Sequence, residues 1–234
     1  MQHKNKRIFV SFHHELNQKH ADKIRNIIKS LGHQDISVND GTKIENEDIK
    51  TDEQIRKEIR DKFLRDVDVT IVILGSDTIN RKHIDWEIRS TLHKFDNKRQ
   101  GSIVVINALT NEESWLLESS LVELHDQSVF PAGRSWPKNN EVTLEKFKWL
   151  PQRLSNSIVN QYNYENCLKG EYDHAVFPII SYNKVKNNIN ILQEAINQAI
   201  NFKTKNQGKW DLNSKMRRKN NKSPDRQIFE QFSA

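Results

Sequence analysis

The sequence predicts an α/β fold in which a parallel β-sheet is covered by helices on both faces. Through the first half of the chain, β-branched apolar runs alternate with segments whose apolar residues recur at helical spacing. The run VDVTIVILG is near-continuously apolar, as a strand that is buried on both faces must be. These observations suit a flavodoxin-like sheet with this run as a central strand and Ile36–Val38 at an edge.

The first two strands are predicted at Ile8–Val10 and, more weakly, at Ile36–Val38. A helix between them is expected to end at Gly32. Its apolar face comprises Ala21, Ile24, Ile27, Ile28 and Leu31.

The next helix begins with the capping-box pair Thr51 and Gln54, and its apolar residues Ile55, Ile59 and Phe63 follow at helical spacing. The third strand is predicted over residues 68–74, and the segment SIVVINAL is predicted as the fourth strand. The helix between these strands has an apolar face of Ile84, Ile88, Leu92 and Phe95.

The segment AVFPII predicts a fifth strand, and Pro178, which cannot donate to a ladder, restricts it to a sheet edge or to the end of a strand. A last helix is predicted with Val185, Ile189, Leu192, Ile196 and Ile200 on one face. We therefore expect one α/β domain over residues 1–202, with a loop-rich insertion at about 111–174 and a basic, flexible tail at 203–234.

The net charge of +6 lies in the tail, which carries nine Lys/Arg and three acidic residues from Asn201 onward. The first 200 residues hold 28 charges of each sign, so the body is neutral. The tail lacks the spaced aromatic residues of a base-stacking surface, which favours a solvated end over a nucleic-acid-binding arm.

The single cysteine, Cys167, excludes an internal disulfide and fits a reducing compartment. The N-terminus lacks the apolar core of a signal peptide, and no run approaches membrane-spanning length. These features predict a cytoplasmic protein that does not bind membranes. The histidine spacing does not match a zinc site, and phosphate-loop, GxGxxG and GxSxG motifs are absent from the sequence.

In an open parallel sheet, ligands bind beyond the carboxyl ends of the strands. Ser11-Phe12-His13, Asn39-Asp40-Gly41 and Gly75-Ser76-Asp77 follow the first three strands, so we expect them to share one rim. The helix that carries Trp86 and Glu87 starts shortly after the third strand. By position alone, Glu87 is more simply a solvated helix carboxylate than a catalytic group.

Two segments, KRIFVSFHHE and VDVTIVILGSDTINRKHIDWEI, resemble the TIR-like family of bacterial Thoeris antiphage systems. The matching features are a strand that ends in Ser-Phe-His, a central strand that ends in an apolar-Gly pair, an Asn-Arg-basic turn and a Glu-Ile helix. The resemblance covers about residues 6–110. It departs from the family pattern at His83, where the family usually has a tryptophan.

The resemblance implies an enzyme that cleaves NAD+ at the nicotinamide–ribose bond, with NAD+ as substrate and no other cofactor. Glu87 maps onto the catalytic glutamate of TIR enzymes. The product implied is an ADP-ribose-derived, cyclic signal that activates a separate effector after a phage-derived trigger, with self-assembly through TIR–TIR contacts. The residues expected to bind the substrate are Ser11, Phe12, His13, Asp40, Ser76, Arg81 and Trp86, of which Phe12 or Trp86 is expected to stack on nicotinamide or adenine.

Two other interpretations remain open from the sequence. One is a non-catalytic TIR-like module that senses infection by assembly, since one fold serves both roles. The other is a nucleic-acid-associated protein that uses the basic tail.

Overall fold

The computed structural model describes residues 5–37, 49–93, 100–109 and 177–205. Within these ranges, five parallel strands form one sheet in the order β2-β1-β3-β4-β5. The strands are β1 (Arg7–Ser11), β2 (Gln34–Asp35), β3 (Val69–Leu74), β4 (Ser102–Asn107) and β5 (Ile179–Ser181). This is the flavodoxin-like order, so the predicted fold class is confirmed.

Helices cover both faces of the sheet. They are α1 (His14–Ser30), α2 (Asp52–Glu58), α3 (Lys82–Leu92), α4 (Tyr182–Asn187) and α5 (Asn190–Lys205). The α1 face of the sheet packs against α1, α4 and α5, and the α3 face packs against α2 and α3. Because helices cover both faces, β3 and β4 are buried along their whole length, as their continuous apolar runs predicted.

Successive residues of β1 face opposite layers, as the period of a strand requires. Ile8 and Val10 pack on the α1 face together with Phe12. Phe9 packs on the α3 face against Ile55, Ile59 and Trp86. The alternation therefore aims Ser11 at α3.

Helix α1 begins at His14, about two turns before Ala21, the first residue of the predicted apolar face. His14 and Glu15 therefore form its first turn. The helix ends at Leu31 and Gly32, whose N–H groups donate to Ile27 and Lys29. Gly32 adopts a φ of 78°, so its predicted role in ending the helix is confirmed.

The capping box at the start of α2 is confirmed. The Gln54 N–H donates to Thr51 Oγ1 at 3.3 Å, and the Thr51 N–H donates to Gln54 Oε1 at 2.8 Å. The predicted continuous α-helix is wrong at its second half, because residues Ile59–Phe63 form a π-helical turn. The wider turn brings Ile59 and Leu64 into the same buried cluster.

Two further predictions need correction. The second strand lies nearer the N-terminus than Ile36–Val38, because Gln34 and Asp35 are the residues that pair with Arg7 and Ile8 of β1 in the described part of the chain. The last predicted helix is two helices, because Asn188 is extended and its Oδ1 accepts from the Asn190 N–H at 3.1 Å. The fifth strand lies at the sheet edge directly after Pro178, as predicted.

In the part of the chain that the structure describes, no helix is both long and apolar enough to cross a membrane. The predicted insertion at 111–174, with Cys167, lies outside the described residues, as do Asp40 and most of the basic tail. The division of the chain at residues 202 and 203 stays a prediction.

Candidate active site

The candidate site lies where β1 and β3 end side by side. β1 pairs with β3 through a parallel ladder that includes Val10 opposite Ile71 and Ser11 opposite Val72. From β1 the chain goes first to β2 on one side and later to β3 on the other. Such a reversal opens a crevice at the carboxyl ends of the strands, which is where open α/β sheets bind ligands.

A buried serine–glutamate pair joins the end of β1 to α3. The Ser11 hydroxyl donates to Glu87 Oε2 at an O–O distance of 2.5 Å. Ser11 is 1% exposed and Glu87 is 4% exposed, so the hydrogen bond is shielded from water. Hydroxyl-to-carboxylate bonds of this length are charge-assisted and hold both groups in fixed positions. Glu87 is therefore a buried, oriented carboxylate and not a solvated helix residue.

Asp77 connects three parts of the rim. Its Oδ1 accepts from Asn80 Nδ2 at 2.8 Å, and its Oδ2 lies 2.6 Å from Arg81 Nη2. The same Oδ2 lies 3.7 Å from His13 Nε2, which is an electrostatic contact too long for a hydrogen bond. The carboxylate thus connects His13, two residues after β1, to the turn that precedes α3.

His13 is 8% exposed, and its Nδ1 has no hydrogen-bond partner among the described residues. Burial lowers the pKa of His13 from its ordinary value, and the nearby Arg81 charge lowers it further. Asp77 opposes this shift by attracting the protonated ring. The imidazole is consequently neutral at pH 7.

Gly75 and Asn17 are in close contact at the end of β3. A Cβ on Gly75 would lie 2.2 Å from Asn17 Nδ2, so the asparagine side chain occupies the space that any larger residue would need. The turn is fixed by Thr78, whose hydroxyl accepts from the Gly75 N–H at 2.8 Å and donates to the Ile73 carbonyl at 3.1 Å. Gly75 thereby lets α1 approach the end of β3.

The two aromatic residues predicted at the site are packed in the protein. Phe12 is 7% exposed, lies in the α1-face cluster and contacts the His14 ring with centroids 4.4 Å apart. Trp86 is 1% exposed and packs on the α3 face with Phe9, Ile55 and Ile59. Stacking on a substrate therefore stays a prediction for both residues, and it requires that their clusters open.

His83, at the position of the family's usual tryptophan, contacts the Trp86 ring at a centroid distance of 5.1 Å. Lys82 Nζ lies 5.0 Å from the centroid of the same indole ring. The indole is thus enclosed by the first turn of α3, where a cation–π contact adds to its burial.

The remaining predicted residues divide into two groups. Ser11 contacts Glu87, and His13 and Arg81 both contact Asp77. Ser76 is exposed on the turn after β3, and Asp40 lies outside the described residues. Sequence reasoning assigned no role to Asn17, Asp77 or Asn80. The position of Asp77 shortly after the third strand pointed to the rim, whereas no feature of the sequence pointed to Asn17.

Within the described ranges, no three His, Cys, Asp or Glu side chains stand close enough to hold a metal ion. The rim instead offers a shielded carboxylate at Glu87, a neutral imidazole at His13 and a cation at Arg81. These three groups suit acid–base and electrostatic chemistry on an organic substrate that carries charge.

Comparison with known proteins identifies one family. Residues 9–113 match the family described as "Thoeris protein ThsB, TIR-like domain". This segment contains the candidate site from Ser11 to Glu87. No curated protein matches the chain.

Proposed function

Because residues 9–113 belong to the TIR-like domain family of the Thoeris protein ThsB, a module of antiphage defence, we propose that this chain cleaves NAD+ at the nicotinamide–ribose bond. The product proposed is a cyclic, ADP-ribose-derived nucleotide that activates a separate effector. The observation that carries the proposal is the buried Ser11–Glu87 pair at the carboxyl ends of β1 and β3.

The chemistry requires a negative group beside the ribose. As the bond from C1″ to the nicotinamide nitrogen breaks, its electron pair leaves with nicotinamide and positive charge develops on the ribose. Glu87 can stabilise that charge strongly because water is excluded from its carboxylate. Ser11 keeps the carboxylate in one orientation before the substrate arrives.

The other end of the substrate carries a pyrophosphate. Arg81, which is 35% exposed at its side chain and anchored by Asp77, is the cation of the rim that can contact it. We propose NAD+ as the small-molecule partner, with no further cofactor. Other copies of the chain, a phage-derived trigger and an effector reached through the diffusible product complete the proposed partners.

The test follows NAD+, nicotinamide and ADP-ribose products by chromatography, with the purified protein alone and in lysate from phage-infected cells. We expect Glu87→Gln to lower the rate of NAD+ consumption at least about 100-fold, because the neutral amide cannot stabilise the developing charge. Ser11→Ala should lower it about 10-fold or more, as expected for loss of a hydrogen bond to a charged group.

Glu53→Gln is the matched control, since this exposed carboxylate on α2 pairs with Arg56 at the surface. Its rate should equal that of the unchanged protein. Wild-type rates in Glu87→Gln would contradict the proposed role of the carboxylate. Assembly upon infection with no NAD+ consumption would instead support the non-catalytic module.

A further inference from the structure

We propose that His13 is the general base that activates the attacking hydroxyl, with Asp77 as the residue that positions its ring. The inference rests on the proposed function and deepens it, because the chemistry there requires a nucleophile to replace nicotinamide. That nucleophile is a hydroxyl group, either of water or of the second ribose of the substrate.

His13 and Glu87 face the same crevice. Ser11 points to α3, Phe12 points to the α1 face, and His13 again points to the turn between β3 and α3. Residues two apart in extended chain are separated by roughly 6–7 Å, about the span of a ribose with its attacking group. The carboxylate and the imidazole can therefore act on one sugar.

Asp77 selects the tautomer of the ring. Its carboxylate lies on the Nε2 side at 3.7 Å, where it favours a proton on Nε2. Asn80 and Arg81 hold the carboxylate from its other sides and fix its position. A proton on Nε2 leaves the lone pair on Nδ1, so Nδ1 is the nitrogen that can accept a proton.

Two unpaired nitrogen atoms lie at the start of α1, and one of them, Asn17 Nδ2, lies against Gly75. Among the described residues, His13 Nδ1 and Asn17 Nδ2 are both buried and lack hydrogen-bond partners. The two residues are one helical turn apart, joined by the hydrogen bond from the Asn17 N–H to the His13 carbonyl at 2.9 Å. A hydroxyl that donates to Nδ1 and accepts from Nδ2 would satisfy both and remove the penalty of leaving two buried polar atoms unpaired.

The charges around His13 leave it neutral and basic. Arg81 from the start of α3 and the neighbouring His14 disfavour protonation, whereas Asp77 and Glu15 favour it, and burial outweighs both acids. A neutral imidazole is the form that can take a proton at pH 7.

The step balances without another reactant. The glycosidic C–N bond breaks and its electron pair leaves with neutral nicotinamide. A lone pair of the hydroxyl oxygen forms the new O–C1″ bond, and the hydroxyl proton moves to His13 Nδ1. Release of that proton to solvent restores the neutral ring.

The first experiment measures the tautomer by NMR of the 15N-labelled histidine side chains, which needs no turnover. We expect His13 to carry its proton on Nε2 at pH 7, and Asp77→Asn to lower its pKa by removing the favourable charge. A proton on Nδ1, or an unchanged pKa in Asp77→Asn, would overturn the inference.

The second experiment compares His13→Gln with His14→Gln, which changes the adjacent histidine of the same helix start. We expect His13→Gln to lower NAD+ consumption about 100- to 10,000-fold and to abolish the decline of the rate at acidic pH. Added azide should restore NAD+ consumption in His13→Gln and yield an ADP-ribosyl azide, because azide attacks without losing a proton. His14→Gln should retain the original rate and still show the decline at acidic pH, with the midpoint raised because His14 no longer disfavours protonation of His13.

The outcomes separate the two proposals. The wild-type protein must consume NAD+ for this comparison. If His13→Gln then consumes NAD+ at the same rate, or if azide does not restore its NAD+ consumption, the role of His13 is overturned and the proposed function stands. Absence of NAD+ consumption in the unchanged protein, with and without infected lysate, overturns the proposed function. The NMR measurement then decides by itself whether Asp77 fixes the tautomer of the His13 ring.

Discussion

At the scale of single residues, the protein places its reactive groups where water cannot reach them. Ser11 and Glu87 are 76 positions apart, yet the hydroxyl and the carboxylate form a hydrogen bond of 2.5 Å. His13 and Asn17 lie against the adjoining turn at the end of β3. Each of these contacts depends on the close approach of β1, α1 and the turn that starts at Gly75.

Replacing Gly75 should therefore disturb a specific neighbour. We expect Gly75→Ala to lower the free energy of unfolding by about 1–3 kcal/mol, because the new methyl group would overlap the Asn17 side chain. Urea denaturation measures the loss, and Asn17→Ala in the same chain should recover most of it.

Gly32→Ala is the matched control. Gly32 has open space around its Cα but a φ of +78°, so alanine there costs about 1 kcal/mol through backbone strain alone. Asn17→Ala should not recover that loss. Equal recovery at both positions would contradict the steric explanation for Gly75.

Two histidines whose pKa values are lowered, the buried His13 and the partly buried His20, should make stability depend on pH. Burial lowers the pKa values of His13 and His20, so the unfolded chain binds more protons than the folded chain as the pH falls through about 6.5. Their contribution is fully present above about pH 6.5 and is lost as the pH falls toward the folded-state pKa values.

We expect the free energy of unfolding, measured by urea denaturation between about pH 5 and 7, to increase with pH. His20→Gln should reduce this slope, since one of the two groups no longer titrates. Glu58 and Asp61, whose pKa values are lowered mainly by hydrogen bonds from lysine and arginine side chains, act only at lower pH. An unchanged slope in His20→Gln would contradict the assignment.

At the scale of elements, local signals explain where helices begin and end but not the helix type between those points. The capping box at Thr51 and the glycine end of α1 were both readable from short stretches of sequence. The π-helical turn after α2 was not, because it is set by Ile59 and Leu64 packing together under Trp86. The break between α4 and α5 had a signal in Asn188, an asparagine that caps the following helix.

The capping box can be tested directly. We expect Thr51→Ala to lower the free energy of unfolding by about 1 kcal/mol, because the first turn of α2 loses its side-chain acceptor. Thr204→Ala, at an exposed position in α5, should change it little, since its hydroxyl only bonds the carbonyl one turn back. Equal losses in the two variants would contradict the capping role.

At the scale of the whole molecule, the sheet separates two apolar layers. Ile24 and Ile28 lie in the α1-face cluster, and Ile88 lies in the α3-face cluster. Substitutions on opposite faces share no neighbours, so their effects should be independent.

We expect Ile24→Val and Ile88→Val each to lower the free energy of unfolding by about 0.5–1.5 kcal/mol, and the double variant to show the sum within about 0.5 kcal/mol. The pair Ile24→Val and Ile28→Val lies within one cluster and should deviate from additivity by more than that. Urea denaturation of the single and double variants measures these free energies of unfolding. Coupling across the sheet as strong as coupling within the cluster would contradict the two-layer core.

Apart from the position of β2, the sequence by itself determined the strands, the α/β class and the rim at their carboxyl ends, because burial on both faces requires continuous apolar runs. It also indicated Glu87 through its resemblance to the Thoeris TIR-like family. The tertiary structure decided which side chains meet at that rim: Ser11 with Glu87, His13 with Asp77, and Asn17 with Gly75. It also buried Trp86, which the sequence had suggested as a stacking surface. The physical reason is that these contacts join residues far apart in the chain, so they arise only when strand order and helix packing bring β1, α1 and α3 together.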